Sequence, residues 1–119
     1  MNENILSKDE GFELLEKLRV DKTPILALFE LFPRVRVRVI GSIFRVLRDD
    51  NLLISTSDHP SAASAFLRVA LDRPLAFAAG DTRDCTDLVS EDLVIEFGNK
   101  VLLIRFTEPE EFLIFTFTG

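Results

Sequence analysis

Hydrophobic positions in the first third of the chain recur with helical spacing. Ser7 and Glu10 stand three residues apart, as in a capping box that begins a helix. Four apolar residues then follow on one helical face: Phe12, Leu14, Leu15 and Leu18. A second run, "TPILALFELFP" at 23–33, begins with a Thr cap and a Pro in the first helical position. We therefore expect two N-terminal helices within residues 1–33, the second apolar nearly all round.

Beyond residue 33 the spacing of apolar positions changes to two, which is typical of β-strands. Strands are predicted at 34–48, 51–57, 64–71, 74–79, 92–97, 100–106 and 112–118. "RDDNL", "FGNK" and "TEPEE" have the composition of hairpin turns. In the first strand the alternation slips beside Gly41 and Ser42, so we expect a bulge or a bend there.

These elements predict an α+β fold of one domain, residues 1–119, helical over 1–33 and β-rich over 34–119. Two N-terminal helices would pack on a bent, mainly antiparallel sheet of six or seven strands. Because long bent strands close small barrels, a small barrel is the alternative form of that sheet. The strands "LVIEF", "LLIRF" and "FLIFTF" are apolar on both faces, so we expect the helices to cover part of the outer side.

The apolar content is high for a small protein and points to association. Hydrophobic residues make up 47% of the chain, the mean hydropathy is +0.20, and there are eleven Phe but no Tyr or Trp. Phe has no polar group to keep at a wet surface, so this content suits a core or a permanent interface. The candidate interface residues are Leu28, Phe29, Phe32, Phe112, Ile114, Phe115 and Phe117. A homodimer is the leading prediction, and a well-packed monomer is its alternative.

Positive charge is concentrated in one segment of an acidic chain. The net charge is −6, yet residues 34–48 contain no acid. That segment has five candidate anion-binding residues: Arg34, Arg36, Arg38, Arg45 and Arg48. The first three would project from one strand face at intervals of about 6.7 Å, close to the spacing of phosphates. Cross-strand pairing with acidic residues (Glu96, Glu108, Glu110 or Glu111) is the favoured interpretation, because the rest of the chain repels polyanions.

Catalytic and metal-binding patterns are weak. His59 and Cys85 could be drawn with Asp84 or Asp87 as a nucleophilic constellation, but no motif surrounds either residue, so an enzyme is not favoured. Three acids recur at every third position: Asp81, Asp84 and Asp87. This spacing differs from an EF-hand loop, so a solvated loop is predicted, and no metal or cofactor.

The sequence therefore predicts a non-enzymatic domain that acts by protein association, with a second copy of itself as the expected partner. Another protein, of basic character, is the further candidate partner. The alternative functions are anion or nucleic-acid binding through 34–48 and small-molecule binding in an apolar barrel interior, with nucleic acid disfavoured as a partner. The N-terminal sequence lacks a signal-peptide pattern and no apolar run approaches ~20 residues, so we expect a cytoplasmic protein with no membrane partner.

Overall fold

The structure is a computed structural model, which describes residues 4–31, 35–48, 50–55, 66–81, 98–107 and 110–118. These residues form helix α1 (Lys8–Val20) and eight strands: β1 (Asn4–Leu6), β2 (Ile25–Leu31), β3 (Val35–Val46), β4 (Asn51–Ser55), β5 (Phe66–Ala70), β6 (Leu75–Asp81), β7 (Lys100–Thr107) and β8 (Glu110–Phe117). The strands form one sheet in the order β1-β6-β7-β8-β2-β3-β4-β5. All of its pairings are antiparallel.

The first predicted helix is confirmed as α1, with the predicted capping box. The backbone N–H of Glu10 donates to the Ser7 hydroxyl at 3.1 Å, and the N–H of Ser7 donates to the Glu10 carboxylate at 3.0 Å. A Cβ at Gly11 would stand 2.1 Å from Cγ of Phe77. Glycine at this position therefore lets α1 lie directly against the aromatic ring of β6, where Phe12 also packs edge-on against Phe77.

The second predicted helix is wrong: residues 25–31 form β2, the strand between β8 and β3. A run that is apolar at every position fits a strand covered on both faces as well as a buried helix. Ile25, Ala27 and Phe29 face one side of the sheet, and Leu26 and Leu28 face the other; all five are buried. The predicted α+β fold with two helices is thus replaced by a mainly antiparallel sheet that carries one helix in the described part of the chain.

Six of the seven predicted strands correspond to β3–β8 with small shifts of their ends. The predicted strand at 92–97 lies outside the described residues. Strand β1 was not predicted, because three residues are too few to show alternation. The bulge occurs slightly beyond Gly41: the register of β3 and β4 shifts between Ile43 and Arg45, which leaves Phe44 as the extra residue.

The described strands form a curled sheet that does not close, so the small barrel, the alternative form of the predicted sheet, is not found among them. β1 and β5 are its two edges among the described strands. Residues 71–74 nevertheless join β5, at one end of the strand order, to β6, next to the other end. Six strand spacings of a flat sheet would be about 29 Å, whereas four residues reach about 14 Å. The short link therefore requires the sheet to bend until its ends approach one another.

The main core fills the inner side of this curl. It combines the buried side of α1 with one face of β2–β8, and its largest fully buried side chains include Phe77, Phe106 and Phe115. Since Phe12, Leu15 and Leu18 belong to this core, α1 covers the inner side and not the outer side as predicted. A smaller cluster of Leu28, Val101, Leu103 and Ile114 lies on the outer side of β2, β7 and β8, and each member is at most 4% exposed.

Candidate functional site: the basic face

The candidate site lies on the outer side of β3 and continues across β4 to β5. Arg38 stands opposite Leu28, and Ile40 stands opposite Leu26. Because Leu28 belongs to the outer cluster, both β3 side chains are on the outer side of the sheet. Beyond the bulge Arg45 is opposite Leu53, and Leu53 is opposite Arg68 of β5. The ladder therefore aligns these two arginines in one row across three strands.

Exposed apolar side chains lie between Arg38 and Arg45 along β3. Ile40 is 48% exposed and Phe44 is 37% exposed, whereas Leu26 and Leu28 on the neighbouring strand are at most 4% exposed. The bulge accounts for Phe44, because an extra residue breaks the alternation and re-aims its side chain. We call this surface the basic face and define it by Arg38, Ile40, Phe44, Arg45 and Arg68.

The three arginines of the basic face are held differently. Arg45 is half-buried: its Nη2 donates to Oδ1 of Asn51 at 3.3 Å, and its buried Nε has no hydrogen-bond acceptor. Arg38 is exposed and also interacts within the fold. Arg68 is exposed, and none of the residues that the structure describes forms an ion pair with it. The surface therefore offers one anchored guanidinium and two exposed ones.

Arg48, another predicted anion-binding residue, is directed elsewhere. It forms an ion pair with Asp9 at the start of α1, and its guanidinium carbon lies 5.0 Å from the centre of the Phe12 ring. These contacts tie the end of β3 to the helix on the inner side. They also commit the positive charge of Arg48 within the chain, so we exclude it from the basic face.

A groove of about 430 Å³ runs between α1 and the end of β3. Its lining residues are Asp9, Phe12, Glu13, Glu16, Val46 and Arg48. Arg19 donates hydrogen bonds to Glu16, and this contact holds the pKa of the Glu16 carboxyl below its ordinary value. Since Asp9 is paired with Arg48 as well, two of the three carboxylates are neutralised by the chain's own arginines.

Two arginines of the predicted anion site remain, and the structure gives only the strand register for one of them. Arg36 stands opposite Glu30 of β2 in the strand register, and Arg34 lies outside the described residues. Of the acids predicted to face this strand, Glu110 and Glu111 lie on β8, which is not next to β3, whereas Glu96 and Glu108 lie outside the described residues. Arg68 was missed, because only the register of both hairpins brings it level with Arg45.

The predicted interface residues are placed inside the chain's own fold. Leu28 and Ile114 belong to the outer cluster, and Phe112 packs against it with Arg105 lying 5.2 Å above its ring. The other members of the described set, Phe29, Phe115 and Phe117, belong to the inner core. Phe32 lies outside the described residues. Whether any of them meets a second copy stays a prediction.

The residues considered for chemistry are mostly outside the described part of the chain, namely His59, Asp84, Cys85 and Asp87. Asp81 ends β6 and accepts a hydrogen bond from Nζ of Lys100 at 2.8 Å. Within the ranges that the structure describes, no three His, Cys, Asp or Glu side chains come together as a metal site. The helix of those ranges is too short to cross a membrane.

No protein-family model, curated protein or solved structure matches this chain.

Proposed function

We propose that this chain is a non-enzymatic domain that acts by binding another protein through the basic face. One observation supports this most: the sheet leaves Ile40 and Phe44 exposed on the outer side of β3, while it buries the outer apolar residues of β2, β7 and β8. Large apolar side chains in water are unfavourable by about 25 cal/mol per Å² of surface, so covering them favours association. We also propose that the chain acts in the cytoplasm, which is the compartment predicted from its sequence.

The flanking arginines add guanidinium groups, which are common in interfaces between proteins. Arg is enriched in protein interfaces, and the guanidinium group can bind a carboxylate through two parallel hydrogen bonds. Arg38 precedes Ile40 along β3, Arg45 follows Phe44, and Arg68 lies level with Arg45 two strands away. An apolar centre with a charged rim is the usual arrangement of a binding surface between proteins.

The two alternative functions have less support. Small-molecule binding in the interior would need an internal cavity, but in the described part of the fold the inner side is filled by phenylalanine and aliphatic side chains. Nucleic-acid binding would use the same arginines against an overall charge of −6. Both remain alternatives that binding measurements can test.

The proposal is tested by selecting ligands for the basic face without assuming their sequence. A display library of random twelve-residue peptides is selected on the immobilised wild-type chain, and the Ile40→Asp/Phe44→Asp double variant serves as the counter-target. We expect peptides that bind the wild type at micromolar concentration and bind the double variant at least about tenfold more weakly. Because both side chains are exposed, the double variant should keep the wild-type circular-dichroism spectrum.

Val20→Asp is the matched control, since Val20 is 63% exposed but lies at the end of α1, away from the basic face. It should bind the selected peptides like the wild type. The proposal fails if selection yields no peptide and the free chain is also monomeric, or if the double variant binds as the wild type does.

A homodimer is the form of association predicted from the sequence, and it is tested separately. Light scattering of the free chain from about 1 to 200 µM covers the range in which a specific dimer would form. A dimer abolished by the Ile40→Asp/Phe44→Asp variant would identify a second copy as the partner at the basic face. A dimer that this variant leaves intact would instead indicate an interface outside the basic face, and the predicted interface residues of the outer cluster would be tested next.

A further inference from the structure

We infer that the partner at the basic face is an extended segment of a different protein, with acidic residues placed on both sides of an apolar centre. This inference rests on the proposed function and adds the chemistry of the partner to it. It follows from the order of side chains along β3, where Arg38 is followed by Ile40, Phe44 and Arg45. A complementary ligand therefore needs carboxylates toward both ends and apolar side chains between them.

The spacing of the arginines sets the length of that segment. Arg45 is seven positions beyond Arg38, which corresponds to about 20 Å of a bulged strand. Arg68 lies two strands away from Arg45, at about 10 Å across the sheet. An extended peptide of about seven residues spans the longer distance. A compact anion such as a single phosphate would reach one arginine and leave the apolar centre uncovered.

Charge complementarity gives the sign of the partner. The five residues of the basic face include three arginines and no acid, whereas the whole chain has twenty acids and fourteen lysines and arginines. The basic face is thus a positive region on a negative molecule. This positive region attracts an acidic ligand, while the net negative charge of the chain favours a basic ligand elsewhere on the surface.

A second copy of the chain fits this face less well. In a two-fold symmetric dimer the same patch contacts itself, so Arg38, Arg45 and Arg68 of both copies would come together. Like charges brought into one interface oppose binding. A segment of another protein can place carboxylates opposite each arginine without this repulsion.

A single-stranded nucleic acid is also a weaker fit. It could stack a base on Phe44, yet its charges are evenly repeated along the strand, whereas the arginines of this face are separated by Ile40 and Phe44. The negative remainder of the chain would repel a polyanion that extends beyond the face. A short acidic peptide has few charges outside the contact and is repelled less.

The test uses three fluorescein-labelled probes in anisotropy titrations of the full chain. The first is a nine-residue peptide with glutamates near both ends and alternating leucine and threonine between them; the second has glutamine in place of each glutamate; the third is a twelve-nucleotide DNA strand. We expect the glutamate peptide to bind at least about tenfold more tightly than the other two probes. Raising the salt concentration should weaken its binding.

Arg38→Gln and Arg68→Gln are the informative variants, because both side chains are exposed and their replacement should leave the fold intact. Each should weaken binding of the glutamate peptide several-fold and leave binding of the glutamine peptide unchanged. Lys17→Gln, at an exposed position of α1, is the matched control for loss of one positive charge and should bind like the wild type.

The outcomes separate this inference from the proposed function. Tighter binding of DNA than of the glutamate peptide, or equal binding of the two peptides, would overturn the acidic partner. If the random library then still yields peptides that depend on Ile40 and Phe44, protein association through the basic face stands with a partner of different chemistry. A dimer lost in the Ile40→Asp/Phe44→Asp variant would likewise overturn the inference and keep the association.

Discussion

Arg73 links three parts of the sheet through one guanidinium group. It lies 3.9 Å above the centre of the Phe106 ring, its Nη2 donates to Oε2 of Glu111 at 2.6 Å, and its Nε donates to the Ala70 carbonyl at 3.4 Å. The Arg73 and Glu111 side chains are only 18% and 12% exposed. The link between β5 and β6 is thereby fastened to β7 and β8, at the place where the curl brings distant strands together.

Removing one partner of this pair should therefore destabilise the chain. Glu111→Gln leaves the guanidinium of Arg73 mostly buried without its counter-charge, and we expect a loss of about 2–4 kcal/mol in the free energy of unfolding. Urea denaturation followed by circular dichroism measures this loss. The control is Asp81→Asn at the Lys100–Asp81 pair, whose side chains are 36–43% exposed and should contribute less than about 1 kcal/mol. Equal losses in the two variants would contradict the role of Arg73.

Among the elements, α1 could be predicted because its signals are local. Capping by Ser7 and Glu10 and the apolar stripe behind them need no knowledge of the rest of the fold. Strand β2 could not be predicted. An unbroken apolar run indicates a segment that is buried on all sides, but it does not indicate whether that segment is a helix or a strand. Its true neighbours, β3 and β8, are a short hairpin away on one side and about eighty residues away on the other.

The basic face was predictable in part. The arginines of β3 are plain in the sequence, but their surroundings depend on pairing. The bulge at Phe44 places Arg45 opposite Leu53, and the next ladder adds Arg68. A shift of either hairpin by one residue would reverse the side of the sheet on which these arginines lie.

The capping box of α1 predicts a pH dependence of stability. Donation from the Ser7 backbone N–H, together with the Ser7 side chain, holds the pKa of Glu10 below its ordinary value of 4.5. A group whose pKa is lowered by folding stabilises the folded state above its unfolded pKa, and this contribution disappears as the pH falls through the folded pKa. Glu10→Gln removes this titration, so its deficit in unfolding free energy relative to the wild type should be largest near neutral pH and shrink below pH 4.5.

Urea denaturation at a series of pH values from 7 to 3 measures that difference. Glu13→Gln is the control, because Glu13 is exposed on the same helix and does not belong to the capping box. Its stability relative to the wild type should change less over the same range. A constant deficit of Glu10→Gln at every pH would show that the ionised form of Glu10 gives no extra stability.

At the scale of the whole molecule, one core joins the two parts of the sheet. Strand β3 pairs with β2 up to Gly41 and with β4 from Ser42 onward, so a line of separation in the sheet would run between these two residues. The inner core crosses that line, since it contains Leu52 and Val69 from one side together with Leu102 and Leu113 from the other. Helix α1 contributes to the same core, and the chain should therefore unfold as one unit.

Leu15→Ala tests this unity, because Leu15 is fully buried on the side of α1 that faces the core. The cavity should lower the free energy of unfolding by about 3–5 kcal/mol, whereas Val20→Ala on the exposed side should change it by less than about 0.5 kcal/mol. Hydrogen exchange read by mass spectrometry reports β4–β5 and β7–β8 separately. If the core is one unit, both pairs lose the same amount of protection in Leu15→Ala, because each opens with the whole molecule. Loss confined to one pair would instead mean that the sheet divides between Gly41 and Ser42 and that α1 stabilises only the part beside it.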